Sequence, residues 1–204
     1  MMTLYHTKDT RSLRCLWLLE ELNLAHELEL VAYPARLKQP QYLEVNPSGT
    51  VPFLVDGTTH LRESCAILLY LANRYGAGRC QVVPDSPYYG AMLDWTFFGE
   101  TSLAAPLATS LRYSLFLPRE QRVPEVAQDY REQVFQRLPL LEQALEHSTY
   151  LCGEDLTVAD ISVGYGLLLG ELFGLAEQYP PRILAYLERL KARPAFVRAR
   201  AVGA

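Results

Sequence analysis

Cysteine is scarce. Cys15, Cys65, Cys80 and Cys152 are the four among 204 residues. None forms a C-x-x-C pair, and none is spaced against the four histidines as a metal-ligand set would be. No metal is expected, and the thiols read as reduced core or surface groups of a cytoplasmic protein. No apolar run reaches the length of a membrane span. The first residues, Met1-Met2-Thr3-Leu4-Tyr5-His6, lack a basic region followed by a long apolar segment, so no signal peptide is expected. An excess of positive charge is also missing. Nineteen Lys and Arg stand against 23 Asp and Glu, a net charge of −4, which argues against nucleic acid or an anionic membrane as the main partner. Repeats, low-complexity tracts and charge blocks are absent. What remains is a chain with 50% hydrophobic and 21% charged residues, the make-up of an ordinary globular protein of one large or two small domains.

The chain is organised around Asn46-Pro47-Ser48-Gly49-Thr50-Val51-Pro52-Phe53-Leu54-Val55. Asn-Pro and Ser-Gly punctuate a loop: the residue before Pro47 is pushed towards an extended conformation, and Gly49 permits positive φ. Phe53-Leu54-Val55 reads as a strand entering a core, with Pro52 at its start because proline cannot donate to a ladder. Asp56-Gly57 signals a two-residue hairpin turn, with Thr58-Thr59-His60-Leu61 as the partner strand. Glu63 and Ser64 follow, just ahead of the helical run Cys65 to Leu71, with Ser64 placed to act as N-cap. Exposed amides at a helix start suit a carboxylate and a neighbouring acid suits an ammonium group. One α-amino acid carries both.

Upstream, Thr3 to His6 reads as a first strand and Leu13 to Leu22 as a helix stopped by Asn23. His26 to Ala32 reads as a second strand, Tyr33 to Pro40 as loop, and Gln41 to Val45 as a short helix. The helix after the hairpin runs to Tyr75, where Gly76-Ala77-Gly78 ends it. Residues 1–77 thus form an α/β domain of order βαβ-α-ββα, the thioredoxin-like arrangement. Residues 78–87, with Pro84 and Pro87, form a linker, and 88–204 an all-helical domain. In that second domain, Tyr88 to Tyr113 is a long aromatic-rich helix, and Val126 to Glu146 is another, with a kink expected at Pro139. A third helix spans about Val158 to Leu172, and Ile183–Lys191 and Pro194–Arg200 are terminal helices. Gly164, Gly166 and Gly170 would let the third helix pack closely. Thr157-Val158-Ala159-Asp160 sets a threonine N-cap against an acid at the third helical position, a capping-box variant, with Leu156 and Ile161 spaced as a hydrophobic staple. Asp160 is read as a folding residue.

The N-P-S-G-T-V-P stretch, the E-S pair, the T-x-x-D box, the segment Arg193-Pro194-Ala195-Phe196 and the start R-S-x-R-x-L-W-L-L-E-E-L resemble the glutathione transferase family, in a bacterial and fungal branch. The resemblance covers nearly the whole chain. It implies a cis Val51–Pro52 bond, with the backbone of Val51 pairing the cysteinyl part of glutathione and Glu63-Ser64 holding its γ-glutamyl end. It implies a cytosolic glutathione S-transferase, active in detoxification, that adds the glutathione thiolate to a small hydrophobic electrophile. Glutathione enters as co-substrate, without a metal, and a homodimer is implied. Two other readings stand beside it: glutathione-dependent peroxide or disulfide reduction, and a non-catalytic interaction domain of the same fold.

The chemistry such an enzyme needs is a thiol kept ionised, since the thiolate is the nucleophile and free thiols titrate near pH 8.5. Relatives place an activating hydroxyl on a tyrosine ending the first strand or on a serine before the first helix. By that resemblance the candidates are Thr10, Ser12 and Tyr5, in that order, while plain capping for Thr10 and Ser12 and strand packing for Tyr5 remain open. Relatives that use a cysteine place it in this loop. Here no cysteine lies there, which counts against the disulfide-forming classes. Arg11, at the helix start, would strengthen a positive field, and Lys38 would reach the glycine carboxylate of glutathione. Arg11 and Arg14 otherwise read as solvated or ion-paired. The second substrate is expected where the helical domain faces this site, with Trp95, Phe97, Phe98, Tyr113 and Phe116 as candidates for an apolar lining.

Overall fold

The computed structural model describes residues 1–203, with the backbone alone at residues 35 and 36. It divides into two compact units. One comprises Met1–Gln81 together with the chain from Lys191 onward; the other is Val82–Leu190.

In the first unit the elements run β1 (Met2–His6), α1 (Ser12–Leu22), β2 (Glu27–Leu30), α2 (Ala35–Lys38), α3 (Tyr42–Val45), β3 (Phe53–Asp56), β4 (Thr59–Leu61) and α4 (Ser64–Tyr75). The sheet order is β2-β1-β3-β4, with β1 and β2 parallel and the other pairs antiparallel. This is the mixed four-stranded sheet of a thioredoxin-like domain. Period-two alternation divides β1 between two faces. Met2, Leu4 and His6 are buried, whereas Thr3 and Tyr5 are half-buried. Val31, Tyr42 and Phe53 form a separate small core, against which Tyr5, Val51 and Val55 pack.

Several local expectations shift. The hairpin register pairs Asp56 with Thr59, so the two-residue turn is Gly57-Thr58, with Gly57 at φ +59°. Glycine at the first central position of a two-residue turn explains the shift: Asp56 extends the strand and Gly57 alone carries the positive φ. The loop expected over Tyr33–Pro40 contains the short helix α2. Asn23 ends α1 in the left-handed conformation, as expected of an Asn stop.

The largest difference concerns the C-terminus. Beyond α10 (Pro181–Lys191), the last helix, Pro194–Ala201, packs on α1 within the first unit, whereas the sequence places it in a helical domain over 88–204. Phe196 meets Trp17 edge-on at 5.0 Å between ring centroids. Arg193 Nε and Nη2 donate to both carboxylate oxygens of Glu21, at 2.6 and 2.9 Å, and Arg198 Nε donates to Glu20 Oε2 at 2.6 Å. Packing against β1, α4 and α11 together explains why nine of the eleven residues of α1 are buried, including Arg14, more than a one-faced amphipathic helix would bury.

In the second unit, α5 (Tyr89–Phe98) and α6 (Ala105–Leu111) belong to one long helical stretch with a wide π-type turn at Gly99–Ala104 and another at Arg112–Phe116. Then come α7 (Pro124–Phe135), α8 (Leu138–Ala144), α9 (Val158–Leu172) and α10; the final helix of the chain is α11. Pro139 does not kink a single helix. The chain breaks at Gln136–Arg137 and Pro139 sits in the first turn of α8, where its missing N–H costs nothing. Every residue of α9 from Val158 to Gly170 is buried. A Cβ at Gly166 would lie 2.7 Å from Leu103 Cβ, so the small side matters there. The capping box forms: Asp160 Oδ2 accepts the Thr157 N–H at 2.8 Å and the Thr157 hydroxyl at 3.0 Å, while Oδ1 accepts from Leu151 N and Tyr186 Oη at 2.9 and 2.7 Å. Among the described residues no helix is long and apolar enough to cross a membrane, and no His, Cys, Asp and Glu cluster could hold a metal ion.

Candidate functional site

The loop leading into β3 is tied down by one residue that had read only as punctuation. Asn46 is fully buried. Its Nδ2 donates to Thr50 O at 2.9 Å, and its Oδ1 accepts from Ser48 Oγ at 2.9 Å and Arg62 Nε at 3.1 Å. The Tyr42 hydroxyl donates to the same Thr50 carbonyl at 2.9 Å. With Gly49 at φ +64°, the segment turns tightly and delivers Val51–Pro52, whose peptide bond is cis. Val51 is half-buried at the edge of the Val31–Tyr42–Phe53 core.

Beyond the hairpin, α4 begins at Ser64. Glu63 occupies the N-cap position with extended backbone (φ −82°, ψ 122°) and makes no side-chain cap hydrogen bond. The expected role of Ser64 as N-cap is therefore corrected. It is the first helical residue, 4% exposed, and its hydroxyl is directed at another partner: Arg14 Nη1 donates to Ser64 Oγ at 3.1 Å. Arg14 has no exposed surface, so of its two readings, solvated or ion-paired, the solvated one fails; α4 and α11 both pack against the helix that carries it. Because Ser64 Oγ accepts from a guanidinium, its own proton is left to donate, the correct polarity for a ligand carboxylate. The amino end of α4 is itself the positive end of a helix dipole. Glu63 is exposed beside it.

The three candidate hydroxyls separate clearly. Tyr5 sits on β1 with its ring 5.4 Å from that of Tyr42 and 5.7 Å from that of Phe53, inside the small core. These contacts are those expected of strand packing. Ser12 is completely buried as the first residue of α1; its Oγ accepts the Thr7 N–H at 3.2 Å and lies 2.8 Å from His6 Nδ1 and 2.9 Å from Thr10 Oγ1. Thr10 is partly exposed and donates to Thr7 O at 2.7 Å. Of the three, Thr10 alone combines exposure with a place beside the start of α1. Arg11 precedes that helix in right-handed helical conformation and is partly exposed. Lys38, at the end of α2, is exposed.

Cys15 is no nucleophile. Burial pushes its thiol well above the ordinary range, and it lies 4.0 Å from Ser64 O. Cys152 is pushed up to about 11, again by burial. All four cysteines are free thiols.

In the helical unit, Trp95 and Phe98 are half-buried and stack edge-on at 4.8 Å, and Tyr113 is half-buried in the second π-type turn. Phe97 and Phe116 are the more exposed, at 49% and 60%; Phe116 meets Phe173 at 6.3 Å.

Two residues of this region escaped sequence reasoning. Arg14 reads in sequence as solvated or ion-paired, yet it is fully buried and donates to Ser64. His6 read only as the end of a strand, yet alternation with Met2 and Leu4 already placed it on the inner face.

Comparison with known proteins bears on the family. Residues 10–74 match the Glutathione S-transferase, N-terminal domain, and residues 104–194 the Glutathione S-transferase, C-terminal domain. The chain is 30% identical to Glutathione S-transferase A of Pleuronectes platessa, over 89% of this chain and 82% of that protein. It is also 30% identical to Glutathione S-transferase 2 of Schizosaccharomyces pombe, over 95% and 92%. Among solved structures, a glutathione transferase of Methylococcus capsulatus superposes with TM-score 0.87 at 29% identity, covering 98% of both chains. The glutathione transferase URE2P6 of Phanerochaete chrysosporium, solved with oxidized glutathione, gives 0.85 at 28% identity, covering 98% of this chain and 96% of that one. With both domain families matched over most of its length, the chain belongs to the glutathione S-transferase family.

Proposed function

We propose that this protein is a glutathione transferase that holds glutathione on its first unit and presents an ionised thiol to a small hydrophobic electrophile. The observation that carries the reading is the Arg14–Ser64 pair at the start of α4: a buried cation, a hydroxyl left free to donate, and the exposed Glu63 beside it. A carboxylate and an ammonium group on one carbon match that set, which is the γ-glutamyl end of glutathione. The backbone of Val51, held by the Asn46 network, pairs with the cysteinyl part. Thr10 donates to the sulfur, and the positive end of α1 adds to the field there. The thiol proton passes to solvent. The thiolate then forms the S–C bond, and the electrophile's leaving group departs with the bonding pair.

Trp95, Phe98 and Tyr113 supply apolar surface for the electrophile, with Phe116 added for its exposure. A homodimer is part of the proposal. Retention on immobilised glutathione followed by a thiol-conjugation assay tests the reading. Retention with turnover supports it; neither would favour an interaction domain without catalysis. Turnover of hydroperoxide without conjugation would favour the peroxidase alternative.

A further inference from the structure

We propose that His6, acting through Ser12, positions the Thr10 hydroxyl and strengthens it as a donor to the glutathione sulfur. The inference deepens the reading that Thr10 activates the thiol and rests on it. His6 is a positioning residue: it touches Ser12, not the substrate.

The geometry is a chain of three side chains leading from the interior to the loop. His6 is 1% exposed and Ser12 has no exposed surface, while Thr10 is partly exposed. His6 Nδ1 stands 2.8 Å from Ser12 Oγ, and Ser12 Oγ stands 2.9 Å from Thr10 Oγ1. Ser12 Oγ also accepts the Thr7 N–H at 3.2 Å, which anchors it to the backbone of the same loop. The Thr7 carbonyl accepts from the Thr10 hydroxyl at 2.7 Å and lies 3.2 Å from Ser12 Oγ. Two hydroxyl protons serve this small set of acceptors, and the Nδ1–H tautomer of His6 adds a third.

Without a ligand, the Thr10 proton points inward to Thr7 O. Donation to sulfur needs that proton turned outward. Thr10 Oγ1 is then open to accept, and Ser12 is the neighbour that can donate to it. Ser12, whose hydroxyl otherwise donates to Thr7 O at 3.2 Å, can do so when its proton turns from that carbonyl and is not held by His6, which requires the Nδ1–H tautomer of a neutral imidazole. The sequence of donors is then His6 Nδ1–H to Ser12 Oγ, Ser12 O–H to Thr10 Oγ1, and Thr10 O–H to the sulfur. All the dipoles point at the anion, and each bond strengthens the next by roughly 10–30%. Burial holds His6 at a pKa of about 4, so the ring is neutral at physiological pH even with the Asp9 carboxylate nearby, itself 3.6 Å from Arg200 Nε.

The test is an ultraviolet titration of the thiolate of glutathione bound to purified protein, with the pH profile of kcat/KM beside it. His6→Phe is expected to raise the bound-thiol pKa by about half a unit, and so to lower kcat/KM about threefold below that pKa. His6→Asn, whose amide nitrogen falls near Nδ1 and still donates, is expected to restore the original value; His6→Gln, whose amide falls near Nε2, is not. Ser12→Ala should raise the pKa as His6→Phe does, and no further when combined with it. Should His6→Phe not fold, the Asn and Gln variants decide the matter by their difference. A rise with Thr10→Val but none with His6→Phe or His6→Gln overturns the relay and leaves Thr10 in place. No rise even with Thr10→Val overturns the Thr10 reading, and the relay with it.

Discussion

Arg14 and Ser64 stand 50 residues apart in the chain and meet at 3.1 Å, the guanidinium fully buried and the serine 4% exposed. The contact joins the first turn of α1 to the first turn of α4. It sets the polarity of the Ser64 hydroxyl, since an oxygen that accepts from a guanidinium has its proton left for something else. Arg14→Met should weaken glutathione binding about tenfold, taking a charge-linked hydrogen bond at about 1.5 kcal/mol. Ser64→Ala should do about the same, and the double variant little more than either. Calorimetric binding constants for the three decide it; full additivity would show that Arg14 does not act through Ser64.

Thr10 is the second point of test. Losing a hydrogen bond to an anionic sulfur costs about 1.5–3 kcal/mol, which is about one to two pKa units. Thr10→Val should therefore move the acidic limb of the pH–rate profile up by that much while leaving the affinity for glutathione within a factor of a few. Tyr5→Phe should move neither, because its ring lies against Tyr42 and Phe53.

His6 has a consequence for acid stability. Its pKa falls from 6.5 to about 4 in the folded chain, with burial the main cause. Unfolded chains therefore bind a proton at this site at higher pH than folded ones. The stability tied to a neutral His6 is fully present above pH 6.5 and is lost as pH falls through the window down to about 4. The shift corresponds to about 3 kcal/mol. Denaturant unfolding at pH 7.5 and pH 4 should show His6→Asn losing less stability on acidification than the parent, by up to that amount. An identical loss in both would contradict it.

Asp160 makes four hydrogen bonds inside the second unit. Replacing it by Ala leaves the Leu151 and Thr157 amides and the Tyr186 hydroxyl without that acceptor. Asp160→Ala should cost on the order of 3–5 kcal/mol in chemical denaturation. Thr157→Ala should cost about 1 kcal/mol.

How much of this was legible beforehand follows from the range of each interaction. Short-range signals read well. The N-P-S-G-T-V-P loop, the Asn23 stop and the T-x-x-D box are made by residues within a few positions of one another, and all three stand in the structure. The βαβ-α-ββα order follows from hydrophobic periodicity for the same reason. What failed needed distant chain. Arg14 reads as solvated or ion-paired because nothing local says that α4, 50 residues on, and α11, some 180 residues on, both return to pack against α1. The same return moves the C-terminal helix out of the helical unit. In the hairpin, Asp-Gly named the turn but not its register, which the pairing of Asp56 with Thr59 sets. Asn46 shows a further limit: loop residues were read for backbone conformation, whereas its side chain, bonded to Ser48, Thr50 and Arg62, is what holds the loop.

A crystal structure with glutathione bound tests the central claim most directly. The account predicts the γ-glutamyl carboxylate at Ser64 and the amides that open α4, the cysteinyl backbone paired with Val51, and the sulfur within hydrogen-bond reach of Thr10 Oγ1. Glutathione bound with its sulfur turned away from Thr10, or a tripeptide that leaves Ser64 uncontacted, would contradict it.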